Sequence, residues 1–170
     1  MKIAVIAVGA VLLLVVCAVA IGVLLPKHHV VSRSARYRAT AEKLYALIAG
    51  PQNWRPEVLR EESLPDARNR HLVRETTRNG DTVTYELLAG SPPTSFQRRI
   101  ASENLPYSGA WTFSLQPRDG ATIVRITEEG DVYNPVFRFV SRFVIGHTGG
   151  LDAYLRALGK TTGEDVRIED

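Results

Sequence analysis

Hydrophobic positions follow three different rhythms along this chain. The first is an unbroken run. From Ile3 to Leu25 there is no charged or strongly polar side chain, and at about 1.5 Å per residue such a helix is roughly 35 Å long, a little more than a hydrocarbon core of about 30 Å. Lys2 precedes the run and Pro26, Lys27, His28 and His29 follow it, as at a helix that ends where headgroups begin. The pattern predicts a transmembrane anchor at residues 1–26, spanning by residues 3–25, and hence a single-pass membrane protein. The rival is a cleaved signal peptide with Ala18-Val19-Ala20 as its cleavage site. Against it, the run continues through Ile21, Val23, Leu24 and Leu25, beyond the roughly 7–15 apolar residues of a signal peptide. Lys27, Arg33, Arg36, Arg38 and Lys43 all follow the run, which by the positive-inside rule favours a cytoplasmic domain.

The second rhythm has period two and the third a period near 3.6. Residues Val30 to Ala39 alternate as a strand does. Thr40 then caps a helix whose apolar positions are Ala41, Leu44, Tyr45, Ile48 and Ala49, and Gly50-Pro51 stops it. The stretch from Pro51 to Pro56 holds at most one short helical turn. From Glu57 to Val132 strands alternate with turn signals, among them Leu64-Pro65-Asp66 and two hairpin signatures, Asn79-Gly80 and Asp119-Gly120, where the turn favours φ > 0. Short connections between successive strands make an antiparallel meander. Asn134-Pro135 opens a last helix with Val136, Val140, Phe143, Val144, His147, Leu151, Tyr154, Leu155 and Leu158 on its apolar face. Gly146, Gly149 and Gly150 predict a kink in its middle. The fold class is therefore α+β, with one domain at residues 27–160 and a polar, frayed tail at 161–170.

Charge and chemistry narrow the function. The chain has 21 Lys and Arg against 18 Asp and Glu, a net charge of +3. This is a small surplus without an arginine-aromatic groove, so no nucleic-acid partner is expected. The one cysteine, Cys17, lies in the apolar run, which leaves the domain without a thiol nucleophile or thiolate metal site. No phosphate-binding loop, Gly-x-Ser-x-Gly elbow or His-Glu-x-x-His is present. The four histidines do not cluster: His28 and His29 flank the apolar run, while His71 and His147 lie in different elements, so no metal and no cofactor are expected. His147 is either a core histidine bonded to a carbonyl or a ligand contact. Glu128, on a strand face with Thr122, Val124 and Ile126, is either a solvated strand-end group or a partly buried acid facing a cavity.

Three stretches carry a family likeness. Residues 39–48 with Trp54, the pair 109–113 and 122–130, and residues 133–139 with 151–159 resemble the opening helix, penultimate hairpin and final helix of the SRPBCC superfamily (START-like, helix-grip), in its polyketide cyclase/dehydrase-like group. The resemblance implies a curved seven-stranded antiparallel sheet around a long C-terminal helix, with a cavity between them that in relatives holds hydrophobic molecules. Tyr85, Phe96, Trp111, Phe113, Phe137 and Val140 would then converge on that cavity, joined by Glu128 and His147. The expected function is a membrane-anchored domain that binds a hydrophobic small molecule or lipid, with no catalytic residue assigned. The alternatives are an interaction module with a membrane-protein partner, or a cyclase/dehydrase-type enzyme using Glu128, His147 or Tyr85 as acid or base.

Overall fold

A computed structural model describes residues 2–65 and 68–170, with the side chains of residues 2–5, 7, 11, 89 and 145 outside that description. Asp66, the last residue of the Leu64-Pro65-Asp66 break, also lies outside it. Helix α1 (Lys2–Leu24) precedes β1 (His28–Tyr37) and α2 (Ala41–Ala49). The meander then runs β2 (Val58–Leu64), β3 (Leu72–Thr77), β4 (Thr82–Ala89), β5 (Ser95–Ile100), β6 (Tyr107–Arg118) and β7 (Ala121–Val132). After it come α3 (Pro135–Val140), a π-helical turn (Ser141–Ile145), α4 (Gly149–Thr162) and β8 (Ile168–Glu169).

The membrane anchor and the membrane localisation expected from the first apolar run are corrected. Among the described residues no helix is long and apolar enough to cross a membrane. The C-terminal turn of α1 instead docks on α3. Gly22 makes this possible, because a Cβ there would stand 2.0 Å from the Pro135 carbonyl oxygen. Buried Arg138 completes the joint by donating to the carbonyls of Leu25 (2.9 Å), Val23 (3.4 Å) and Tyr133 (3.4 Å), which satisfies helix-end oxygens that have no partner within the helix.

The sheet has eight strands in the order β2-β3-β4-β5-β6-β7-β1-β8, every neighbouring pair antiparallel. One more strand than expected comes from the tail. Ile168 pairs with Ala35 and Glu169 with Ser34, while the Glu164 carboxylate accepts from the Arg38 and Ala39 amides at 2.6 and 3.2 Å. The tail is thus tied to β1. Both hairpins form, by different turns: Asp119 and Gly120 both have positive φ (51° and 69°), whereas of the other pair only Gly80 does (88°), inside a longer loop closed by Thr77 N–H to Asp81 O.

Helix α2 begins at its Thr40 cap and ends at Gly50, as expected. The segment after it does more than turn. Fully buried Gln52 donates from Nε2 to the carbonyls of Leu47, Ile48 and Gly50, closing the C-terminus of α2. The core lies between the sheet and α4, where Leu151, Tyr154, Leu155 and Leu158 are buried against Tyr37, Phe113, Leu115, Val124 and Ile126. Each such aliphatic side chain contributes about 1.5–3 kcal/mol of transfer free energy.

The long last helix expected from residue 135 onward is broken. The π-helical turn and Gly146 (φ 76°, a left-handed region open to glycine) redirect the chain before α4 starts at Gly149. The break resets the helical phase, so the apolar positions before it do not continue the stripe after it. Phe143 and Phe137 are 60% and 47% exposed instead of covering the sheet, and Phe143 packs on Phe139 at 5.1 Å.

Candidate functional site

Strand parity decides which side chains meet on the concave face. On β6, Trp111, Phe113 and Leu115 face inward, and the register sets Trp111 directly opposite Glu128 on β7. Next along, β1 sets His29 opposite Gly130. The result is a compact polar cluster: Trp111 Nε1–H donates to Glu128 Oε2 at 2.6 Å, and His29 Nε2 meets Glu128 Oε1 at 3.0 Å. The His29 ring stacks on His147 with centroids 4.3 Å apart and planes 26° from parallel. Arg33, on the same face of β1, donates to Asp152 Oδ1 (3.1 Å) and Thr148 Oγ1 (3.3 Å). It therefore fixes the residues on either side of the start of α4, next to His147.

His29, Trp111, Glu128 and His147 form one wall of a cavity of about 520 Å3 between the sheet and the α3–α4 segment. Arg55 and Arg98 also line it, each held by carboxylates that stand outside the lining. Arg55 donates to Glu75 (3.0 Å) and Glu57 (2.5 and 2.8 Å), and Arg98 donates to Glu61 (2.7 Å) and Glu75 (3.4 Å). Both guanidiniums also lie over aromatic faces, Arg98 over Tyr85 at 4.7 Å and Arg55 over Tyr154 at 5.3 Å. Aromatic rings fill the space between, with Tyr107, Trp111, Phe137 and Tyr154 at the surface of the cavity.

The environment shifts several titrations. Burial, with nearby Glu75 adding to it, pushes the Tyr85 phenol up to about 12. Burial likewise holds the Tyr154 phenol above its ordinary value even with Arg98 and Arg55 close by, so both are hydrogen-bond donors through the neutral range. The Glu75 carboxyl is raised by burial, which outweighs Arg55 and Arg98. Partial burial lowers the His147 imidazole, and His29 lowers it further, while Glu128 pulls the other way. A neutral imidazole facing a cavity beside a carboxylate can accept a proton.

Of the side chains singled out from the sequence, Tyr85, Trp111, Glu128, Phe137 and His147 line this cavity together. Phe113 and Phe96 do not. They share the inward face, but Phe113 lies under Trp111 and Tyr154 and Phe96 under Phe113 and Tyr45, so both are core. Val140, half-buried at the end of α3, is also outside the lining because the π-helical turn follows it. Glu128 is the partly buried acid of its two readings. His147 sits in the loop between helices, not on a helix face.

Sequence reasoning missed His29, Arg55, Arg98, Tyr107 and Tyr154 as lining residues. For Arg98 the signal existed, since it alternates with Phe96 and Ile100. For His29 it was masked by proximity to the apolar run, although its parity with Val31 and Arg33 places it on the inner face. Arg55, in a proline-flanked loop, carried none. Among the described residues no group of three or more potential ligands could hold a metal ion.

A family model described as polyketide cyclase / dehydrase and lipid transport matches residues 28–161. No curated protein matches the sequence. Several solved structures resemble it. Norcoclaurine synthase from Thalictrum flavum superposes with a TM-score of 0.62 at 14% identity, covering 81% of this chain and 88% of that one. A START superfamily protein from Mycobacterium smegmatis gives 0.62 at 15%, covering 79% and 97%. A conserved protein from Geobacillus kaustophilus gives 0.65 at 13%, covering 84% and 100%. At such identities these likenesses establish the fold, a helix-grip arrangement of START type, and nothing finer.

Proposed function

The chain belongs to the polyketide cyclase/dehydrase and lipid-transport family, and from that premise we propose that it binds a hydrophobic small molecule or lipid in the cavity between the sheet and the C-terminal helices. The observation that carries this reading is the cavity itself. About 520 Å3 of space lined by Tyr85, Tyr107, Trp111, Phe137 and Tyr154 is within the usual range for a small-molecule site and has the usual apolar lining with a few convergent polar groups.

The test uses Trp111 as reporter and Gly150 as plug. Gly150 lines the cavity, and a Cβ there meets the Trp111 ring at 3.6–3.8 Å, an ordinary contact. Gly150→Leu therefore fills the cavity from a helical position where leucine is favoured over glycine by about 0.8 kcal/mol. A lipophilic dye should bind the parent protein saturably and change its tryptophan fluorescence, and Gly150→Leu should lose both effects while melting no lower. Dye binding that survives the substitution unchanged would place the site elsewhere.

A second reading has its own support, the convergence of Glu128, His29 and His147 on one wall. Under it the same cavity performs acid–base chemistry, with His147 accepting a proton from the bound molecule. Deuterium uptake from solvent into a bound ligand, abolished in His147→Gln, would favour this reading; no exchange in either protein would count against it.

A further inference from the structure

The charges around the cavity are not balanced. Among the described residues, Arg55 and Arg98 are the arginines that line it, and both are already engaged by carboxylates: Arg55 by Glu57 and Glu75, Arg98 by Glu61 and Glu75. Two guanidiniums thus face three carboxylates within their own network. Glu128 is a fourth carboxylate, and its two oxygens accept from an indole N–H and an imidazole N–H. On the far side of that ring, His29 Nδ1 is buried without a hydrogen-bond partner. From the α3–α4 side, His147 stacks on His29, and Arg142 is exposed to solvent, where its field is screened. Glu128 retains 24% side-chain exposure and lines the cavity.

A carboxylate that lines an aromatic enclosure is complementary to a cation. An ammonium can pair with the carboxylate and lie against the negative faces of the rings, whereas an anion meets Glu128 directly and finds both arginines occupied. We propose that the cavity selects a lipophilic amine, its protonated nitrogen against Glu128 and its apolar body along Trp111, Tyr107 and Phe137. This rests on the reading of the cavity as a hydrophobic-ligand site and adds the charge of the ligand to it.

Calorimetric titration of the full chain at pH 7 with three ligands of one body, decylamine, 1-decanol and decanoate, each below its aggregation limit, tests the proposal. Decylamine should bind about tenfold or more tighter than decanol, and decanoate more weakly than decanol, a difference of the size expected for one partly desolvated charge contact. Glu128→Gln should bring decylamine to the affinity of decanol while leaving decanol within about twofold, which also reports that the cavity still folds. Binding that persists in Gly150→Leu is not counted as cavity binding. Equal affinities, a preference for decanoate, or an amine preference unaltered in Glu128→Gln would overturn the cation proposal and leave hydrophobic binding standing. Failure of all three ligands to bind would overturn both.

Discussion

The Tyr154 hydroxyl ties the core to the loop after α2. It donates to Gln52 Oε1 at 3.0 Å, and the same amide uses its nitrogen to close the end of α2. The ring meanwhile packs on Trp54, Trp111 and Phe113. Tyr154→Phe keeps the packing and strands a buried carbonyl oxygen, which costs about 1–3 kcal/mol. Urea unfolding should register a loss in that range; a change under about 0.5 kcal/mol would mean that Gln52 finds another donor. None of this was legible beforehand. Periodicity placed Tyr154 on an apolar face correctly, but a pattern of apolar and polar positions carries no information about where a hydroxyl points. Phe143 shows the opposite failure, since it obeyed the same periodicity and is 60% exposed.

At the scale of elements, strands and α2 followed the sequence pattern closely, because alternation, the Thr40 cap and the Asp119-Gly120 turn are local devices that act within a few residues. The α3–α4 segment did not. Its 3-4 spacing reads as one helix only if every residue advances the chain by the same angle, and the π-helical turn with Gly146 breaks that phase. The docking of α1 on α3 was equally hidden, being a contact between distant segments. It makes a sharp demand at Gly22, where a methyl group would collide with the Pro135 carbonyl oxygen. Gly22→Ala should therefore separate the two helices and withdraw the Leu25 and Val23 carbonyls from Arg138. Hydrogen exchange should rise at the amides of residues 21–25 and 136–140 while β6 and β7 stay protected. Unchanged exchange in both helices would show that the joint tolerates a wider separation.

Across the whole molecule, the β2–β7 meander was legible because short connections leave few ways to arrange its strands, and the cavity was expected from the family resemblance alone; the place of β1 between β7 and β8 and the charge network were not legible, the network because it gathers residues from β2, β3, β5 and the loop at Arg55 that no local rule connects. Arg98 is 5% exposed and Glu75 4%, so the network's energetics depend on every charge keeping a partner. Arg98→Met preserves volume but leaves Glu61 without its guanidinium and Glu75 with only Arg55. Stranding buried carboxylates in this way costs about 3–5 kcal/mol. The pH dependence follows from the direction of the Glu75 shift. Burial already raises that carboxyl in the folded protein, and removing a cation raises it further. A carboxyl raised above its unfolded value favours folding while protonated and loses that contribution as pH rises through the folded pKa. The deficit of Arg98→Met should thus be largest at neutral pH and shrink as the solution is acidified through that raised pKa toward the ordinary carboxylate range. Urea unfolding of parent and variant across that interval measures it directly. A deficit that stays constant or grows on acidification would mean that Arg98 contributes through packing on Tyr85 and not through the carboxylates it holds.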